Sequence, residues 1–215
     1  MDMRIISKDR VGKEYKKPDF KDVTNLRKLV LAIRKVVVDA KKEKIKKVAI
    51  VLRDLPDCSR WNLAQGELGE IIARELLITD YEFTKYLSKP KEGWSFITEV
   101  AVIGKISKEF KQGIERGKIV AGEVNMTREL SNTPGGDMTP KVLAQAARDA
   151  VKNLPSTKVT VLGKKQMEKL GMGAVLGVAR GSSHEPQFIV VEYWGAGPAS
   201  HKATQGDQNN RPIVL

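Results

Sequence analysis

The residues that could do chemistry are few, and each lacks a partner. Gly171-Met172-Gly173-Ala174-Val175-Leu176-Gly177 is a glycine run of the sort that cradles a dinucleotide pyrophosphate. Its third glycine falls one residue late, and the segment before it reads as a helix where a strand is required, so structural glycine is the better reading. Every Gly-Lys pair is followed by Glu, Ile or Lys, which excludes a nucleotide-binding P-loop. His184 and His201 are the only histidines. In His184-Glu185-Pro186-Gln187-Phe188 the proline breaks the helix that a zinc-binding His pair needs. Cys58, the single cysteine, stands beside Ser59 with no base nearby and reads as a small buried side chain. Asp137 and Glu185 lie in turns, where a carboxylate caps or is solvated. Trp61, Trp94 and Trp194 are too scattered to form a stacking platform for single strands. No catalytic, cofactor-binding or metal-binding constellation assembles, and no residue is assigned such a role.

Charge is the one strong compositional signal. The net charge is +12 over 215 residues, and residues 1–50 carry 16 Lys/Arg against 7 Asp/Glu. That basic segment could attract phosphate or simply be a lysine-rich solvated surface, the commoner case. A lone cysteine excludes an internal disulfide and suits a reducing compartment. No apolar run reaches the roughly 18 residues of a membrane span, and the N-terminus lacks a secretory core, so a cytoplasmic protein without membrane contact is expected.

The elements that must position these residues divide at 125–141. A long helix, Lys108 to about Leu130, stops before Pro134; Gly135-Gly136 give a turn; Thr139-Pro140 start a new helix as N-cap and first-turn proline. Upstream, residues 1–22 lack periodicity and read as a loose lead-in. Val23 to Ala40 shows one apolar helical stripe, and Val48–Leu52 a short buried strand. A second helix spans Asn62 to Leu77, with Gly66 and Gly69 placed to admit a close neighbour, and Phe96–Ile103 is a second strand. This order predicts α/β with parallel pairing, although two strands make a poor sheet. Downstream the pattern predicts a helix at Pro140–Asn153 and a strand at Lys158–Leu162. Next come a short helix at Lys164–Leu170 capped by Gly171 and strands at Ala174–Ala179 and Gln187–Tyr193. A polar loop at Ala196–Asn210 and an apolar strand opening at Arg211–Leu215 complete it, the last suggesting a truncated chain. The implied domains are a lead-in (1–22), an N-terminal domain (23–106), a linking helix (107–131) and the start of a second domain (132–215).

Several ordered phrases resemble the leucyl aminopeptidase (cytosol aminopeptidase) family. They are Asn132-Thr133-Pro134-Gly135-Gly136-Asp137-Met138-Thr139-Pro140, Leu170 to Ser183, Gln187 to Gly195, and Arg211 to Leu215. The resemblance is strong from about Glu109 onward and fainter from Leu26 to Ile103. It implies a macro-like N-terminal α/β domain, here incomplete, a long linking helix and the opening of a catalytic α/β domain. It implies further that the full-length protein is a hexamer releasing N-terminal residues from peptides with two divalent metals, manganese or zinc. The family's metal ligands begin just beyond the strand matching Pro212–Leu215, so none is carried over and the chain alone is expected to be inactive. The alternative from a different class is a non-enzymatic module binding DNA, or an assembly partner, through basic residues 1–50.

Overall fold

The computed structural model describes residues 4–8, 10–195 and 213–214 and divides the chain into two compact units, Met1–Glu129 and Leu130–Leu215.

Unit 1 is α/β. Strand β1 (Arg4–Lys8) and strand β2 (Lys47–Val51) both pair in parallel with β3 (Glu99–Ile103), in the order β1-β3-β2. Arg4 and Lys47 flank Glu99 in register, and Lys8 and Val51 flank Ile103. The parallel pairing expected from the helix–strand alternation is present. The sheet has three strands because residues 4–8, read from sequence as part of a loose lead-in, form one of its edges.

Residues 10–22 correct that expectation too. Tyr15 and Phe20 are buried. The Lys16 N–H donates to the Lys47 carbonyl at 2.9 Å, and the Lys16 carbonyl accepts from Ala49 N–H at 2.8 Å. Tyr15 donates its hydroxyl proton to the Glu99 carboxylate. Its ring packs with Ala49 and Ala101 on the face of the sheet away from the main core. A strap pinned residue by residue has no repeat for periodicity to reveal.

The helices cover the other face. Helix α1 (Leu26–Lys42) starts where Asn25 accepts the Lys28 N–H at 2.9 Å, and it buries Leu29, Ile33, Val36, Val37 and Ala40. Helix α2 (Gln65–Asp80) opens with Glu67 accepting the Ala64 N–H at 2.8 Å. Buried Glu75 joins the two, held by Arg34 at 2.6 Å and Arg74 at 3.0 Å. Helix α3 (Lys108–Asn132) adds Phe110 and Ile114 to a core shared with Val48, Ile50, Val100 and Val102.

Backbone contact sets the packing of α2 on α3. A Cβ built on Gly69 would lie 2.3 Å from the Phe110 carbonyl oxygen. One on Gly113 would lie 1.9 Å from that of Gly66, and one on Gly117 2.4 Å from that of Glu70. The neighbour anticipated for Gly66 and Gly69 is therefore α3, which brings glycines of its own. Proximity lets α3 cap α2: Asn125 donates to the Leu77 carbonyl at 3.2 Å and Arg128 to that of Ile78 at 2.8 Å. Such terminal carbonyls have no partner within their own helix.

Unit 2 begins with the turn at Pro134, whose carbonyl accepts from Asp137 N–H and Met138 N–H at 2.9 and 2.8 Å. Thr139 caps helix α4 (Pro140–Val151), with Pro140 in its first turn. Strand β4 (Thr157–Gly163) pairs antiparallel with β5 (Gln187–Tyr193), Thr157 facing Tyr193 and Gly163 facing Gln187. Strand β6 (Ile213–Val214) continues that sheet against Tyr193 and Glu192. The rest of the expected final strand, Arg211, Pro212 and Leu215, and the loop 196–210 lie outside the described residues. Helix α5 (Lys164–Lys169) ends with Gly171 at φ +68°, the left-handed position that suits glycine. Ala174–Ala179, expected as a strand, belongs instead to helix α6 (Gly173–Ala179). A short apolar run fits either state, and periodicity cannot separate them.

Replacing Gly113 by Ala must push the backbones of α2 and α3 apart and should cost on the order of 3 kcal/mol, the upper range for overpacking. Gly122→Ala, on the same helix with nothing within 4 Å of the added carbon, should instead stabilise by up to about 1 kcal/mol. Urea unfolding of both variants against the parent checks the pair.

Candidate functional site

The most developed polar cluster lies in unit 1, where α1 and α2 end beside the approach to β3. Asp80, the last residue of α2, is 1% exposed. Its Oδ1 accepts the Ile97 N–H at 3.0 Å and lies 3.5 Å from Lys41 Nζ, while its buried Oδ2 makes no hydrogen bond. Lys41 donates to the Asp80 main-chain carbonyl at 2.8 Å and pairs with Glu82 at 2.5 Å. Its ammonium also sits 5.2 Å from the centre of the Phe96 ring. Burial pushes the Asp80 carboxyl above its usual value of 3.8, against the opposing pull of the Ile97 N–H and Lys41. A cleft of about 560 Å³ lined by Lys41, Lys42, Glu82 and Trp94 adjoins the cluster. The lysine is spent on one carbonyl and two carboxylates, so the cluster ties three chain segments together and offers no nucleophile.

The sequence-level candidates fall apart in space. Cys58 is buried and its thiol donates to the Pro56 carbonyl at 3.2 Å; burial, then the neighbouring Asp57 charge, push the thiol up and keep it protonated. His184 is exposed, its main-chain N–H donating to Ser182 Oγ at 3.0 Å. His201 lies outside the described residues. Trp61 packs against the unit 1 core, Trp94 lies 6.3 Å from Phe96, and Trp194 N–H donates to the Ser156 carbonyl. The glycine run 171–177 spans the α5 C-cap and α6, so no strand leads into it. Among the described residues no three His, Cys, Asp or Glu side chains converge as a metal site requires. The described carboxylates of unit 2 therefore do not by themselves make up a two-metal centre, and no reaction step is derived through one.

Sequence reasoning missed Asp80, Lys41, Arg34 and Glu75. The only signal was Lys41 in the last turn of α1 and Glu75 and Asp80 among the four acidic residues of α2, which periodicity treats as surface. The basic segment 1–50 is also partly neutralised. Lys16 pairs with Glu43, Arg34 with Glu75, Lys35 with Asp39, Lys41 with Asp80 and Glu82, and Lys44 with Glu92.

Two α/β units, the first ending in a 25-residue helix, define a fold shared with leucine aminopeptidases. A tomato leucine aminopeptidase variant superposes with a TM-score of 0.70 at 22% identity, covering 82% of this chain and 35% of that one. The bottromycin maturation enzyme BotP, in a complex with Mn, gives 0.56 at 19% identity, covering 76% and 33%. Residues 125–205 match the family profile described as "Cytosol aminopeptidase family, catalytic domain". The probable cytosol aminopeptidase of Bdellovibrio bacteriovorus is 37% identical over 133 residues, 61% of this chain and 26% of that protein. That of Nitrosococcus oceani is 46% identical over 105 residues, 49% and 19%. That of Persephonella marina is 31% identical over 156 residues, 73% and 31%. Residues 125–205 thus carry the catalytic-domain pattern of the cytosol aminopeptidase family, and the chain spans between about a fifth and a third of the length of these relatives. No helix among the described residues is long and apolar enough to cross a membrane.

A carboxyl whose folded pKa is raised binds its proton more tightly in the folded state, so stability falls as pH rises from 3.8 through the folded value. Asp80→Asn keeps the acceptor for Ile97 N–H and cannot ionise. The stability difference, parent minus Asp80→Asn, should therefore become more unfavourable to the parent between about pH 4 and pH 7. Urea titrations of both proteins at the two pH values read it; a constant difference would show that Asp80 does not carry the raised pKa.

Proposed function

We propose that this chain is part of a leucyl-type, metal-dependent aminopeptidase that releases N-terminal residues from peptides. The observation that carries the reading is the match of residues 125–205 to the catalytic-domain profile of the family. The order of relatives around it and the shared fold support it.

On this reading the described residues position and do not react. The Pro134 turn and the Thr139 cap set the start of α4, and the seven-residue antiparallel β4–β5 ladder forms the rigid strip of the catalytic domain. Two divalent ions, manganese or zinc, would be held by side chains outside the described residues, and bound ions would polarise the scissile carbonyl and activate a water. The Mn in the BotP complex supports manganese as one of the two choices. The N-terminal unit is of macro-like type, the active protein is a hexamer, and it works in the cytoplasm on peptide substrates.

The chain by itself should not turn over a leucine anilide above the blank rate with manganese added, and enzyme-like hydrolysis by the purified 215-residue protein would overturn that. A hybrid carries the positive arm. Residues 125–195 placed in the matching stretch of the Bdellovibrio bacteriovorus relative should leave its metal-dependent hydrolysis within about tenfold of the parent, a barrier change of about 1.4 kcal/mol. A folded hybrid without activity would count against the assignment.

A further inference from the structure

Between α2 and β3 the chain runs through residues 81–98 without a helix or strand. Connections beyond about 12–15 residues with no structure of their own are uncommon in compact domains, and active-site lids and binding loops are frequent among them. This one is shut at its neck. Asp80, at its start, accepts the Ile97 N–H near its end at 3.0 Å, so a single side chain brings the two feet together. Lys41 of α1 grips both. It donates to the Asp80 main-chain carbonyl at 2.8 Å, pairs with Glu82 at 2.5 Å and sits 5.2 Å from the centre of the Phe96 ring.

Beyond the neck the segment is held mostly by itself. Residues 85–92 are all exposed. Leu87 N–H donates to the Thr84 carbonyl at 3.0 Å and Gly93 N–H to that of Pro90 at 2.9 Å, while the Phe83 and Tyr86 rings meet at 5.7 Å. Glu92 pairs with Lys44 just after α1, but both side chains are largely exposed, and such a pair contributes little. The cleft of about 560 Å³ lies between this segment, which supplies Glu82, Trp94 and Ser95, and Lys41 and Lys42 of α1.

Charge at the neck is unbalanced. One ammonium, that of Lys41, faces two carboxylates, Asp80 and Glu82. Asp80 is buried, and its Oδ2 accepts no hydrogen bond from the described residues. Burial, helped by the Glu82 charge and opposed by the Ile97 N–H and Lys41, raises the carboxyl above its usual value. Opening the neck would return the carboxylate to water, so ionisation favours the open form and protonation the closed one.

We propose that residues 81–96 form a lid, hinged at Asp80 and Ile97 and latched by Lys41, which opens as a unit while the sheet and its helices stay folded. Opening uncovers Lys41, Lys42 and Trp94 on the walls of the cleft. It is easier at neutral than at acid pH.

Native-state hydrogen exchange of the full chain tests this, with each amide read by NMR as protection relative to an unstructured chain at the same pH. In the parent the Ile97 amide should be at least tenfold less protected than the amides of β3. Its protection should also respond weakly to urea, because a lid exposes little surface. Ile50→Val thins a core that the open form keeps, so protection in β3 should fall about fivefold while that of Ile97 stays unchanged. Lys41→Met removes the latch and should lower Ile97 protection about tenfold. Between about pH 4 and pH 7 the Ile97 protection should fall several-fold in the parent and stay level in Asp80→Asn. An Ile97 amide that follows β3 in urea and in Ile50→Val would show that the segment leaves only in global unfolding, and this arm decides the matter even if Lys41→Met fails to fold. A folded Lys41→Met protein with unchanged Ile97 protection, or a pH response that survives in Asp80→Asn, would also overturn the proposal.

Discussion

Three glycines set the architecture of unit 1. At Gly69, Gly113 and Gly117 the backbones of α2 and α3 approach so closely that a single methyl on any of them would collide with a carbonyl oxygen. Main-chain atoms cannot move aside as the tip of a flexible side chain can, so the approach fixes the distance between the helices. Much else follows from it. Phe110 and Ile114 reach the sheet core, Arg116 meets Glu70, and Asn125 and Arg128 reach the last carbonyls of α2. Arg128 also lies over the Tyr81 ring at 4.2 Å, and Tyr81 donates to Glu129 at 2.9 Å. A wider separation would leave those carbonyls and the apolar face of α3 without partners.

Charge in this unit serves the interior as much as the surface. Glu75 is buried because two arginines approach it, and Asp80 because a lysine and a main-chain N–H share its Oδ1. In each case a long cationic side chain carries its charge to a carboxylate that could not otherwise leave water. The strongly basic composition is thus not a uniform surface field. Part of it is neutralised within the unit.

Unit 2 is built differently. Its sheet is antiparallel, and Ala144 and Met167 are its only fully buried apolar side chains among the described residues. Val178, Leu170 and Leu154 are exposed there. Among its described residues, the stretch matched to the catalytic-domain profile is rich in backbone order and brings no three His, Cys, Asp or Glu side chains together.

The residue pattern alone determined the helices α1 to α5, the strands β2 to β5 and the break at Pro134. Apolar stripes, caps and glycine positions are local properties that act within a few residues. It also carried the resemblance to the cytosol aminopeptidase family, because several phrases match in a fixed order. Tertiary structure decided the rest. Whether 4–22 is a tail or a strand and strap depends on Glu99, Lys47 and Ala101, far along the chain. Whether 174–179 is helix or strand depends on which neighbours a short apolar run finds. The burial of Asp80 and Glu75 depends on Lys41 and Arg34 from another helix. A local signal is written where it acts; a contact across tens of residues has no local mark, because its free energy exists only once both partners have been brought together.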